Sequence, residues 1–438
     1  RAVIRKSNIY GIIFHDTVDL LFPVCYHLKY NIRRNLNSSE KNVYFFKSAF
    51  CKAGGVFLQE RRAYMKKEVI AAGHICLDIT PVFQSENNYK LSDILSPGKL
   101  VHTDAADVHT GGSAANTGLA MKLLGADVSI MGKIGKDPFG EIICSILKKY
   151  DSDKDILFSE KDSTSYSIVL AVPGTDRIFL HNPGANDSFC ADDIPLSALQ
   201  DASLFHFGYP PLMESVFKDN GKELISIMKK AKNCGAATSL DFASIDPSSK
   251  AGQADWKKIL EHVIPFVDFL VPSAEELCFM LDPKRLNTWI ERAGNRDITE
   301  ILDIENDIMP LANQCMELGA KVLLIKCGVK GIYYQVSNRK VLQGISSRIE
   351  LDSEKWADKS GFEKSFVPDR ILSGTGAGDI SIAGFLTAVL NGCGPEESVQ
   401  FAAAAGACCV TSYDALSGLK SMDEMKQKIE NGWAKVPF

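Results

Sequence analysis

Ser373-Gly374-Thr375-Gly376-Ala377-Gly378-Asp379 runs directly into the apolar stretch Ile380 to Leu390. Alternating glycines let backbone N–H groups turn toward one point at close approach. The first turn of the helix that follows adds unsatisfied donors and a positive dipole end, which favours a phosphate there. Asp379 fits less simply. An acid in a first helical turn can be only a cap, yet a carboxylate beside an anion site repels phosphate unless it has another task. Accepting the proton of an attacking hydroxyl is such a task, so the run suits phosphoryl transfer.

Around this run lies a chain of 438 residues, 45% of them hydrophobic, enough for one large α/β domain or two ordinary ones. Net charge of −5 and a pI near 6.0 argue against nucleic acid as the main partner. No apolar run reaches the roughly 18 to 20 residues that cross a bilayer. The twelve cysteines form no CxxC pair and no regular disulfide or zinc spacing. Cys76, Cys144, Cys278, Cys408 and Cys409 sit inside apolar runs, which reads as buried thiols in a reducing cytoplasm.

The segment Arg1 to Tyr64 differs from the rest, with eleven Lys/Arg against four Asp/Glu and no sustained period. It is expected to lie outside the core, as translated upstream sequence ahead of Met65. A cleaved targeting peptide and a genuine small extension are the alternatives.

From Val69 onward, short β-branched runs alternate with amphipathic helices. Strands are expected at Val69 to Cys76, Val128 to Met131, Leu204 to Phe207, Ala237 to Leu240, Phe269 to Val271 and Lys321 to Lys326. Helices are expected at Ala114 to Leu124, Pro138 to Tyr150, Glu214 to Ala231, Glu275 to Leu281 and Asn306 to Leu318. This pattern predicts an α/β fold with a mostly parallel central sheet and helices on both faces. Phe83 to Asp107 and Ser165 to His181, the latter a hairpin around Pro173-Gly174-Thr175-Asp176, break the rhythm. Strands without following helices predict a small inserted β-sheet, a lid over the site.

A second glycine signal, Gly111-Gly112-Ser113-Ala114-Ala115-Asn116-Thr117-Gly118, opens another helix. The small residues serve either ligand approach or close helix packing. Asn116, one turn into an apolar helix, must find hydrogen-bond partners, and a pair of sugar hydroxyls would suit its donor and acceptor. Asp78 is placed at the end of the first strand, where open α/β sheets bind ligands; a loop cap is the alternative. Arg177, beside the inserted hairpin, is a candidate anion contact or simply a solvated arginine.

Together these residues resemble the ribokinase-like (PfkB) carbohydrate kinase family, from about Met65 to the end of the chain. Gly111 to Gly118, with Gly132 to Gly140 downstream, is similar to the first family motif, and Gly376-Ala377-Gly378-Asp379 matches the core of the second. Gly184-Ala185-Asn186 and Lys326-Cys327-Gly328-Val329-Lys330-Gly331 match further. The resemblance implies one ribokinase-like kinase domain over residues 65–438, with lid segments near 83–107 and 165–181. It implies that Asp379 is the catalytic base and that Gly376, Ala377 and Gly378 form the anion hole. Asp78, Gly111, Gly112 and Asn116 would hold the sugar. Thr375, Lys326, Gly328 and Gly331 would contact the nucleotide, and Glu276 would act near Mg²⁺; taken alone, Glu276 reads as an exposed helix acid. Two positions depart from the family pattern: Ser273 stands where Asn is usual, and Ser373-Gly374 where Asp-Thr is usual. Both bear on metal and nucleotide geometry.

The reading that results is ATP-dependent phosphorylation of a hydroxymethyl group of a small sugar. The implied cofactors are ATP and Mg²⁺, with a monovalent cation such as K⁺ allowed. The implied partners are the sugar and ATP, with a homodimer through the lid, in the cytoplasm. A nucleoside kinase of the same fold and a sugar or nucleotide sensor without turnover are the alternatives.

Overall fold

The computed structural model describes residues 68–83, 91–172 and 178–437. The segment Arg1 to Tyr64, the hairpin tip and Arg177 lie outside the described residues.

The chain forms a main eight-stranded sheet in the order β14-β13-β12-β11-β10-β9-β1-β4. Its strands are β1 (Glu68–Gly73), β4 (Asp127–Met131), β9 (Leu204–Gly208), β10 (Ala237–Leu240), β11 (Phe269–Leu270), β12 (Val322–Lys326), β13 (Gly331–Val336) and β14 (Ser360–Lys364). The six from β4 to β12 are parallel, β13 is antiparallel to β12, and β14 is antiparallel to β13. This agrees with the expected mostly parallel sheet. Strand β1 shows why: it is apolar on both sides, as a strand covered on two faces must be. Val69 and Ala71 pack in one core cluster, with α1 (Ser113–Leu123), α4 (Ala377–Leu390) and α5 (Pro395–Cys409). Ile70 and Ala72 pack in the other, with α2 (Glu214–Asn233) and α3 (Ala274–Leu281).

The expected first strand, Val69 to Cys76, is corrected. Strand β1 stops at Gly73, whose φ of +123° breaks the extended path and lets the chain pass tightly against Gly208. Cys76 then begins β2 (Cys76–Val82), which belongs to a second sheet of four strands, β3-β2-β7-β8. Asp78 therefore does not end a strand of the main sheet. It lies inside β2, paired with His109 of β3 (Asp104–Gly111) and with Ser167 of β7 (Tyr166–Leu170). Ser167 in turn pairs with His181 of β8 (Ile178–Asn182), so Asp78, Ser167 and His181 stand in one cross-strand row. The inserted sheet is thus present. The described part of the stretch Phe83 to Asp107 supplies less strand than expected: it holds a helical turn at Leu91–Ile94 and a strand from Asp104. A two-stranded piece, β5 (Lys133–Gly135) with β6 (Leu157–Ser159), completes the described sheets.

Strand order places the site. After β1 the chain goes to β4 on one side of it, then adds β9, β10, β11 and β12 in turn on the other. The carboxyl ends of β1 and β9 therefore flank the point where the winding reverses, which is where open α/β sheets form their ligand crevice.

Candidate active site

A cavity of about 980 Å³ lies at these carboxyl ends. It brings together Asp78, Gly112 and Asn116 with Glu276, Lys326, Gly328, Gly331 and the run Thr375 to Asp379. Residues that are scattered over 300 positions in sequence thus share one space. Gly111 sits behind it: a Cβ there would overlap the Asp78 carboxylate, so the glycine makes room for that group.

Asp379 lies in the first turn of α4 and is 1% exposed. Its Oδ2 accepts from Asn116 Nδ2 and from Tyr209 OH, each at 2.9 Å, while Oδ1 has no partner. Burial pushes the Asp379 carboxyl up; the two donors and the Lys326 charge work against that rise. One oxygen is held and the other left open, the arrangement a proton acceptor needs. Asn116 thus spends its amide nitrogen on the carboxylate, where sequence reasoning assigned it to sugar hydroxyls.

Tyr209 was missed from sequence. It follows β9 directly, precedes Pro210-Pro211, and holds a left-handed backbone at φ 64°, ψ 42°, unusual for a bulky residue. Burial, then the charges of Asp379 and Asp241, push its phenol well up, so it remains a donor. Its position at a strand's carboxyl end beside the winding reversal was the available signal.

Gly376 is the N-cap of helix α4; its φ of +75° suits glycine, and a Cβ there would lie 2.5 Å from Ala415 Cβ. A Cβ on Gly378 would meet Lys326 Cε, Cδ and Nζ at 3.6 to 3.7 Å. The lysine ammonium and the helix N-terminus therefore converge on one small space, which favours an anion. Ala377 N–H is partly committed, donating to Gly374 O at 3.3 Å. Upstream, Ser373 Oγ accepts from Thr375 N–H at 3.1 Å and donates to Thr375 Oγ1 at 3.0 Å, so the departure from the usual Asp-Thr keeps a local side-chain brace.

Lys326 ends β12 and donates to Asp241 Oδ1 at 2.6 Å, both side chains being nearly out of solvent. Burial alone would lower the lysine, but Asp241 and Glu276 outweigh it and hold the ammonium charged. Asp241 follows β10 and was not singled out in the sequence. Glu276 lines the same cavity, but its Oε2 accepts from Ser273 N–H at 2.7 Å while Ser273 Oγ accepts from Glu276 N–H at 3.3 Å. That is a capping box at the start of α3, and Ser273 serves it as the N-cap. Among the described residues no group of three or more His, Cys, Asp or Glu could hold a metal by itself. Gly328 and Gly331, at φ +54° and +138°, let the chain turn tightly at the far wall.

The described cysteines are free, and Cys278, Cys408 and Cys409 are buried as expected. Cys144 is half-buried instead. Cys76 lines the cavity and its thiol donates to Asp78 Oδ1 at 3.2 Å. No described helix is long and apolar enough to cross a membrane.

Comparison with known proteins agrees with the fold. A fructokinase-2 of Oryza sativa subsp. japonica is 25% identical over 325 residues, 71% of this chain and 82% of that protein. A fructokinase from Xylella fastidiosa with bound ATP superposes with a TM-score of 0.61 at 19% identity, covering 84% of this chain and 99% of the other. A protein described as a ribokinase II from E. coli, in complex with ATP and Mg²⁺, superposes at 0.60 and 19% identity, covering 84% and 100%. The sequence profile described as pfkB family carbohydrate kinase matches residues 71–422, so the chain belongs to the pfkB family of carbohydrate kinases.

Proposed function

We propose that the chain transfers the terminal phosphoryl group of ATP to a hydroxymethyl group of a small sugar, with Asp379 as general base. The observation that carries this reading is the Asp379 carboxylate, gripped through Oδ2 by Asn116 and Tyr209 with Oδ1 unpartnered, beside a glycine-lined helix start. As the sugar oxygen attacks phosphorus, its proton passes to Asp379 Oδ1. The bond from phosphorus to the bridging oxygen breaks, and ADP leaves with that oxygen. Charge building on the transferring group meets the N–H groups around Gly376 to Gly378 and the Lys326 ammonium, the preorganised electrostatics on which phosphoryl transfer depends.

Thr375, Gly328 and Gly331 are read as nucleotide contacts, and Asp78, Gly111 and Gly112 as the sugar side. Mg²⁺ fits the donor set. It takes one or two carboxylates plus phosphate oxygens and keeps several waters, and Glu276 and Asp241 stand near Lys326 besides the proposed base Asp379. Bound there, it would neutralise phosphate charge. A monovalent cation such as K⁺ belongs to the same reading, checked by turnover in potassium against sodium salts. Leu180 of β8, 55% exposed and absent from the cavity lining, supports a second copy docking on the outer face of the small sheet. Light scattering checks that point.

A nucleoside kinase is the rival, favoured by the aromatic rings of Phe179, His181 and Tyr209 along the cavity wall. Release of ADP over a panel of sugars and nucleosides separates the two. Asp379→Asn is expected to lower kcat by roughly 10² to 10⁴ with ATP binding kept; near wild-type turnover would overturn the assignment.

A further inference from the structure

Two residues on the cavity wall hold side-chain atoms that are buried and unpaired. Among the described residues, the buried side-chain polar atoms without a partner belong to His74 and Asp379, apart from Thr387 Oγ1 and Ser398 Oγ in helices α4 and α5. The Asp379 atom is the proton acceptor of the proposed reaction. The His74 imidazole has no role there, yet both its nitrogens are unpaired and the residue is 1% exposed. A buried imidazole with neither nitrogen paired costs free energy unless a ligand supplies partners.

The backbone holds this ring in place. His74 follows β1 directly, at the reversal of the winding. Its N–H donates to Gly208 O and its carbonyl accepts from Ala114 N–H, both at 3.2 Å. Gly112, at φ +87°, makes room: a Cβ there would lie 2.7 Å from His74 Nδ1. Around the ring stand His181, centroids 5.2 Å apart, and Tyr209 at 6.2 Å, the residue that grips Asp379. All three line the cavity, with Asp78 on the same wall.

We propose that His74 contacts the phosphoryl acceptor directly, its two ring nitrogens hydrogen-bonding hydroxyls of an uncharged polyol next to the group that reacts. The proposal rests on the kinase reading above and names its substrate class. A neutral imidazole carries one donor and one acceptor, which matches a hydroxyl and does not match an anion. Burial, then the neighbouring His181, keeps His74 well below its ordinary value and therefore neutral. Lys326, the lysine that lines the cavity among the described residues, is tied to Asp241 and faces the transferring phosphoryl group, and Asp78 sets a carboxyl group on the acceptor side. Among the described residues that line the cavity, a sugar phosphate or sugar acid would meet no spare lysine or arginine.

Three measurements on the full chain test it. In ¹⁵N-histidine protein, the ring nitrogens of His74, assigned by their loss in His74→Leu, are expected to shift when D-fructose or D-ribose is added. In ADP-release kinetics, His74→Leu is expected to raise KM for the better of these two sugars about 10-fold or more, with KM for ATP within about two-fold. His74→Gln, which keeps a donor and an acceptor, should recover part of that loss. The melting temperature of His74→Leu should not fall, since the change removes unpaired buried nitrogens. A sugar KM unchanged in His74→Leu, with a lowered melting temperature, would make the ring a packing residue and overturn the proposal. So would a preference for D-fructose 6-phosphate over D-fructose, or absence of any His74 shift with either sugar. Ring shifts without turnover of any acceptor would instead overturn the kinase reading and leave the contact standing.

Discussion

At the scale of single residues, the site turns on how one carboxylate is held. Asp379, read from sequence as either a cap or a base, is buried, and Asn116 and Tyr209 converge on one of its oxygens. Tyr209→Phe removes one of those donors while keeping the ring. Because that hydrogen bond opposes the rise caused by burial, its loss pushes the Asp379 carboxyl further up. The acidic limb of kcat/KM against pH is then expected to move to higher pH, and turnover at neutral pH to fall about 10-fold. An unmoved limb in a pH–rate profile would mean that Tyr209 only packs. Asp379 could be nominated from its neighbours in sequence. Asn116 could be nominated as a side chain in need of partners, but its pairing with Asp379 and the role of Tyr209 could not, because the donors lie 263 and 170 residues away.

At the scale of elements, the start of α4 separates two uses of glycine. Gly376 needs its positive φ, and a methyl group there collides with Ala415. Gly376→Ala is therefore expected to cost about 1 to 3 kcal/mol and lower the melting temperature by a few degrees. Gly378 lies in the helix at ordinary φ, and its methyl would make only van der Waals contact with Lys326. Gly378→Ala should melt no lower than wild type, since alanine is the better helix former by about 1 kcal/mol. It should nonetheless reduce kcat/KM for ATP, because the methyl fills the space between the lysine and the helix start. Scanning calorimetry beside ADP-release kinetics checks both, and equal behaviour of the two variants would refute the distinction. Helix α4 was legible because its turn and its apolar run are contiguous. The end of β1 was not: Val69 to Cys76 reads as one strand-like run despite Gly73-His74, and the approach of Gly73 to Gly208 shows where it must break.

At the scale of the whole molecule, His206 ties the sheet to the helix that carries Asn116. Fully buried in β9, it contacts Ser113 Oγ through Nε2 at 3.2 Å and Ser239 Oγ through Nδ1 at 3.1 Å. Burial, then the Lys326 charge, pushes its imidazole down to about 3 from an unfolded value of 6.5. With the folded pKa depressed, the unfolded chain takes up the proton first, so this stabilisation is complete above about pH 6.5 and lost as pH falls toward 3. Against His206→Gln, the wild-type advantage in urea unfolding should shrink by about 1.4 kcal/mol per pH unit below 6.5. A gap that stays constant between pH 7.5 and pH 5 would show that the ring takes up its proton as readily in the folded chain as in the unfolded one. Local order of residue types was enough to establish the alternating α/β architecture, the two glycine-led helix starts, the inserted strands and the kinase family, because each depends on spacings within a few turns of chain. Tertiary structure alone decided that Asp78 stands in the small sheet, that Asn116 and Tyr209 hold Asp379, that Asp241 pairs with Lys326, and that His74 lines the cavity unpaired. Those facts follow from strand order: the winding reverses beside β1, and that reversal gathers side chains whose separation in sequence leaves no periodic or local trace.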